Sequence, residues 1–286
     1  MLKSPYLSMR SIIILTILLF SASEFVQAQE PVSKNGNFIN VNKIKIYYEE
    51  YGQGEPLILL HGFGRTCSDW QPFIQEFSKK YRVIAWDMRG HGRSTNSDTS
   101  KVFLHATAAK DLLGFMDALK LEKVKAIGHS SGGIIILYAV TMQPDRFDKI
   151  VPVSAQTYFS TETREFIRTN ALPEDYFKFN DGEKLHGKDK GMLLARQFYN
   201  FHKLKGDPSI TPDQLARIKS PTLIVHGDND FVPVSQAWDM FKVIPKSNLF
   251  IVPNGWHMPH AGPANAEDFT RRVLEFFSAL PAQRSQ

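Results

Sequence analysis

The sequence predicts an α/β protein: a mostly parallel sheet of eight strands with helices on both faces. Three observations predict it. Strand-like apolar runs alternate regularly with helix-length segments from Phe38 to the C-terminal helix, and such alternation builds a parallel sheet covered on both sides. Runs such as Pro221-Thr-Leu-Ile-Val-His-Gly227 are nearly continuously apolar, as strands buried on two faces are. Finally, Gly128-His129-Ser130-Ser131-Gly132 lies between an apolar strand-like run and a long apolar helix-like run. That is the strand, sharp turn and helix that lift a serine hydroxyl above the end of a sheet.

The elements follow in order. Strands are expected at 38–41 and 44–50, where the alternating Lys43-Ile-Lys-Ile-Tyr-Tyr48 suggests an antiparallel edge hairpin. Further strands are expected at 57–61, 82–87, 124–129, 149–154, 222–227 and 248–252, with helices at 69–80, 103–119, 131–142, 235–244 and 264–279. Between Tyr158 and about Ile210 the alternation stops. Helix-like pieces there carry Phe159, Phe166, Tyr176, Phe177, Phe179, Phe198, Tyr199 and Phe201.

The glycines two before and two after Ser130 have a physical task. A serine on so tight a turn holds a strained backbone, and side chains at 128 and 132 would collide with the neighbouring strand and helix. A nucleophilic serine also needs a base, a group that orients the base, and donors for the oxyanion.

At this point the motifs resemble those of a known family. His61-Gly-Phe-Gly64, Asp87-Met-Arg-Gly-His-Gly-Arg-Ser94, Gly128-His-Ser-Ser-Gly-Gly133, His226-Gly-Asp-Asn-Asp230 with Pro233 after it, and Asn254-Gly-Trp-His257 together resemble the α/β-hydrolase superfamily. Its single-domain esterase, lactonase and haloperoxidase-like members are the most similar. The resemblance spans nearly the whole chain after about Phe38. It is specific for the fold and for a serine nucleophile, and poorly specific for substrate. It implies an α/β-hydrolase fold whose aromatic-rich segment is a small helical cap inserted after the sixth strand. The core is then 29–156 with 211–286, and the cap 157–210.

The resemblance also implies roles. Ser130 is the nucleophile, Asp230 the acid, with Asp228 as its rival, and His257 the base, with His260 as its rival. Trp256 stands where the family wording has glycine directly before the histidine. The backbone N–H groups of Phe63 and Ser131 match the oxyanion-hole positions. His129 is expected to point away from the nucleophile and His61 to shape the oxyanion loop. Asp87, Arg89, His91 and Arg93 are expected to lock loops together, while His186 receives no role. The aromatic residues of the cap are left between two readings, the cap's own core or the lining of a pocket.

Other function classes lose ground on composition. The net charge of +5 is a mild excess and its basic residues are scattered, which does not suggest nucleic-acid binding. No HExxH, Cys/His cluster, G-x-G-x-x-G or Walker lysine loop is present, so no metal and no cofactor are expected. The single cysteine, Cys67, permits no internal disulfide and is expected to be a small buried filler. A chain of 286 residues has core enough without such staples.

The first 28 residues read as a secretory signal peptide. Lys3 and Arg10 make the basic region, Ser11 to Phe20 the apolar core, and Val26-Gln-Ala28 the cleavage site. That apolar core is short for a membrane span, so a periplasmic or secreted protein without a stable anchor is expected; an uncleaved anchor is the alternative. The resemblance implies ester hydrolysis through an acyl-enzyme on a small-molecule ester. A lactonase, for enol-lactones or macrolide rings, is the first alternative, and a ligand-binding homologue without turnover the second. Serine at position 130 argues against the epoxide hydrolases and haloalkane dehalogenases of this fold, which use aspartate.

Overall fold

A computed structural model describes residues 35–96 and 100–279; the expected signal peptide lies outside the described residues. One eight-stranded sheet organises them. Its strands are β1 (Asn35–Val41), β2 (Ile44–Tyr51), β3 (Glu55–Leu60), β4 (Tyr81–Trp86), β5 (Val124–His129), β6 (Phe147–Val153), β7 (Thr222–Gly227) and β8 (Ser247–Val252). The spatial order is β1-β2-β4-β3-β5-β6-β7-β8. β1 pairs with β2 and β2 with β4 antiparallel; every other pairing is parallel. The mostly parallel sheet and its edge hairpin are as expected, and all eight strands fall within three residues of their expected bounds.

Side-chain alternation explains why helices cover both faces. Along β3, Ile58 and Leu60 point into one core layer with α2 (His105–Ala118) and α3 (Ser131–Met142), while Leu57 and Leu59 point into the other with α1 (Gln71–Phe77) and α10 (Pro263–Ser278). All four are fully buried, and burying such a side chain stabilises by about 1.5–3 kcal/mol each. α9 (Val234–Val243) adds Ala237 and Met240 to the first layer.

Two helix starts differ from the sequence expectation, for local reasons. The segment from Cys67 to Trp70 is a 3₁₀ turn, capped by the Thr66 hydroxyl, before α1 begins. α2 begins at His105 rather than 103, because Asp207 accepts the N–H groups of His105 (2.7 Å) and Ala106 (3.1 Å). A distant carboxylate satisfies the orphan donors that a local cap usually takes.

The sheet positions the site through its topology. From β3 the chain goes to β4 on one side and then returns to β5 on the other. The crevice where strand order reverses, at the carboxyl ends, is where open α/β sheets hold ligands. The loop after β3 and the turn after β5 both open there. The cap is the helical insertion between β6 and β7: α4 (Thr161–Asn170), α5 (Pro173–Phe179), α6 (Gly182–His186) and α7 (Lys188–Asn200), followed by the short α8 (Pro212–Leu215). Its two ends meet at an antiparallel bridge between Tyr158 and Ser209. There Ile210 N–H donates to Thr157 O at 3.0 Å, and Gln236 accepts from Thr157 N–H and donates to Tyr158 O.

Candidate active site

Ser130 stands between β5 and α3 with φ 52° and ψ −118°. A non-glycine residue held there costs on the order of 1–3 kcal/mol, so its surroundings must impose it. They do: Ser130 N–H donates to Val153 O at 2.8 Å, and Ile134 N–H donates to Ser130 O at 3.0 Å. The elbow glycines are needed for space. A Cβ at Gly128 would lie 2.5 Å from the Gly132 carbonyl carbon, and one at Gly132 would lie 2.4 Å from Leu60 O.

The structure brings Ser130, His257 and Asp230 into one line. Ser130 Oγ lies 2.9 Å from His257 Nε2, and His257 Nδ1 lies 2.8 Å from Asp230 Oδ1. Each residue follows the carboxyl end of a strand, β5, β8 and β7 respectively. A carboxylate only accepts, so Asp230 fixes the proton on Nδ1 and leaves Nε2 free to accept from the serine. The Asp230 side chain is sealed from solvent, and its Oδ1 also accepts from Val232 N–H at 3.0 Å. Burial alone would raise its pKa; the His257 ring, His226 and the Val232 N–H together outweigh burial and hold the carboxyl below the usual range. His226 Nε2–H donates to Val232 O at 2.9 Å and lies 3.7 Å from Asp230 Oδ2.

The rivals have other partners. Asp228 Oδ1 accepts from Gly255 N–H at 3.1 Å, tying the acid loop to the base loop. His260 is buried and stacked on Trp70, with ring centroids 5.3 Å apart. Burial, with His257 nearby, pushes its pKa down to about 3. His129 pairs its Nε2 with the carbonyl of His257 at 2.8 Å, tying the end of β5 to the loop after β8. Trp256 is 65% exposed, so its intrusion before His257 does not displace the histidine from Ser130.

The loop after β3 lies against the elbow: a Cβ at Gly62 would sit 2.7 Å from His129 Nδ1. His61 shapes it from within, pairing Nδ1 with Gly62 O (2.7 Å) and accepting Met88 N–H at Nε2 (3.0 Å). The Phe63 ring is buried among His91, Phe103 and Phe201. Asp87 accepts from Cys67 N–H and Arg93 N–H, and Arg89 pairs with Asp111. Cys67 is fully buried, and burial pushes its thiol pKa up, away from nucleophilic chemistry.

Sequence reasoning missed the cap's hold on this loop. Tyr176 O–H donates to Phe63 O at 2.9 Å. His186, given no role from sequence, bonds Gly64 O through Nε2 (2.9 Å) and accepts Gly92 N–H at Nδ1 (2.8 Å). Burial lowers its pKa to about 4. Also unforeseen, Phe231 packs on the His257 ring (4.3 Å) and stacks on Phe166 of the cap (4.3 Å, 6° between planes). Of the cap aromatics, Phe159 and Phe201 are core, Tyr176 stacks on Phe198 at 4.2 Å, and Phe179 is 64% exposed. No period or motif marks such contacts.

An eight-stranded, mostly parallel sheet with a serine elbow at the switch point and a helical cap after β6 is the architecture of the α/β hydrolases, and this chain belongs to that family. The family's sequence model, described as alpha/beta hydrolase fold, matches residues 55–190. Among its relatives, the human (Homo sapiens) "Serine hydrolase BPHL" is 33% identical over 260 residues, covering 83% of this chain and 84% of that protein. The "2-hydroxy-6-oxo-6-(2'-aminophenyl)hexa-2,4-dienoic acid hydrolase" of Metapseudomonas resinovorans is 27% identical over 268 residues, covering 84% and 90%. The solved structure of the enol-lactonase from Burkholderia xenovorans superposes with a TM-score of 0.69 at 20% identity, covering 85% of this chain and all of that one; this likeness concerns the fold. The chain is thus a hydrolase.

Proposed function

We propose that this hydrolase cleaves carboxylic esters of small molecules through an acyl-enzyme on Ser130. The observation that carries the reading is the unbroken hydrogen-bonded line from Ser130 Oγ through His257 to the sealed Asp230 carboxylate. Ser130 attacks the ester carbonyl as His257 Nε2 takes its proton. His257 then gives that proton to the leaving alcohol, while Asp230 keeps the ring in its tautomer and supports the transient imidazolium. The amides of Phe63 and Ser131 receive the oxyanion; one such donor is typically worth about 100- to 1000-fold in rate. Water, deprotonated by the same histidine, releases the acid and restores Ser130. A lactone is the cyclic case of this chemistry, with the alcohol still tethered after acylation.

The protein is proposed to work outside the cytoplasm. The basic start, apolar run and Val26-Gln-Ala28 site support export.

The test is hydrolysis of p-nitrophenyl esters of rising chain length and of a lactone panel including macrolides. A fluorophosphonate probe follows in parallel. Turnover and labelling on Ser130, both lost in Ser130→Ala, are expected. Absence of both in the wild-type protein would overturn the reading in favour of a binding role.

A further inference from the structure

The serine that follows the nucleophile has a relay of its own. Ser131 Oγ lies 2.9 Å from His105 Nε2, and His105 Nδ1 lies 2.7 Å from Asp207 Oδ2. All three residues are buried, His105 completely. Adjacent residues thus each bear a Ser–His–Asp chain, one reaching the half-buried Ser130 and the other sealed beneath the cap. The same logic sets the protons. Asp207 accepts from the ring's Nδ1–H, so Nε2 is bare and accepts a hydrogen bond from the Ser131 hydroxyl. Burial alone would raise Asp207's pKa; the bond from His105 and two backbone N–H groups hold it below the usual range.

We propose that His105 and Asp207 are positioning residues that fix Ser131 so that its amide N–H stays aimed at the oxyanion. The inference rests on the ester-hydrolysis reading given above. Ser131 is the first residue of α3, where a backbone N–H has no partner within the helix. A serine there readily turns its hydroxyl onto nearby backbone groups, which would let the amide rotate or occupy it. The relay engages the hydroxyl with the His105 ring instead. The peptide unit joining Ser130 to Ser131 is then held at both ends: its carbonyl accepts from Ile134 N–H, and the Ser131 side chain is fixed by His105. Phe103, Phe159 and Phe201 enclose the His105 ring. Asp207 lies on the chain returning from the cap and also caps α2. The oxyanion donor is therefore braced by the cap's exit segment.

Four variants of the full-length protein test this, assayed on the preferred ester, with Tm as a control on folding. Ser131→Ala removes the hydroxyl and keeps the amide. His105→Asn keeps a donor towards Asp207 but no acceptor for Ser131. Ser131→Ala/His105→Asn combines them. His105→Gln restores an acceptor near the Nε2 position. Expected is a fall in kcat of about 10- to 100-fold for either single variant with KM within about twofold, because the donor acts on the transition state. The double variant falls no further, and His105→Gln loses less than His105→Asn. Additive losses, unchanged kcat, or losses equal in Asn and Gln variants that track Tm would overturn the proposal. If His105→Asn does not fold, Ser131→Ala decides, since it leaves His105 and Asp207 in place. Ring ¹⁵N shifts of His105 give a readout independent of turnover. An unprotonated Nε2 that moves in Ser131→Ala supports the relay even if ester hydrolysis itself fails, and a protonated Nε2 overturns it.

Discussion

The site has two halves made in different ways. The sheet half is set by backbone: Ser130, Asp230 and His257 follow the ends of β5, β7 and β8, and parallel strands fix where those ends lie. The cap half is set by side chains. Tyr176 and His186 hold two consecutive carbonyls of the oxyanion loop from residues 113 and 122 positions away, and Phe166 presses Phe231 onto His257. The difference teaches that Ser130, Asp230 and His257 are brought together by the strand ends alone, whereas the loop after β3 is also held by the cap.

The largest effects should come from the sheet half. Ser130→Ala is expected to lower kcat by about 10⁴-fold or more, and Asp230→Asn by about 10⁴-fold through the wrong tautomer, on the scale known for such triads; Tm should barely move. Steady-state kinetics checks both. Comparable activity in Asp230→Asn and wild type would remove Asp230 from its role.

The cap half should show intermediate effects that join rate to stability. Tyr176→Phe keeps the stack on Phe198 and loses the bond to Phe63 O. A kcat lower by about three- to tenfold and a stability loss of about 1 kcal/mol are expected, read by kinetics and by urea unfolding. An unchanged kcat would show that the loop is aimed without the cap.

A pH effect also tests the cap's hold through His186. His186 is held at about 4 against an ordinary value of 6.5, so between those values the unfolded chain binds a proton that the folded one refuses. Stability is complete above about pH 6.5 and declines as pH falls towards 4. His260, at about 3, extends the decline. Tm measured across pH 4–7 should therefore fall on acidification, and less steeply in His186→Gln; parallel curves would deny His186 that share.

The smallest change is expected at the rival acid. Asp228→Asn weakens one bond to Gly255 N–H and should cost less than about tenfold in kcat, because a neutral hydrogen bond is worth only about 1 kcal/mol. A loss equal to that of Asp230→Asn would exchange the two assignments.

What the sequence made legible follows the same division. Strand-end residues carry a signature because an apolar run announces the strand and glycines announce the turn. Ser130 could be singled out for that reason, and Asp230 and His257 through the family spacing; the fold brings the three side chains together. His105 looked like one more position in a helix expected from 103, since the carboxylate that sets that helix's start lies 102 residues further on. His186 had no apolar strand before it and no spacing to flag it; only the fold brings it to Gly64. Phe159 and Phe201 could equally have lined a pocket, because cores and pockets use the same side chains.

The bridge between Tyr158 and Ser209 has a consequence for how such a protein can change. The inserted segment leaves and re-enters the sheet at one point, so the entropy of closing it is already met at its base. Lengthening a loop whose ends are tied costs only about 0.6 kcal/mol for each doubling. Helices could be added, removed or exchanged beyond that doorway while the strands that carry the reacting groups keep their register. The inserted segment can then be rewritten beyond that doorway wherever the bonds of Tyr176, His186 and Asp207 onto the sheet half are kept.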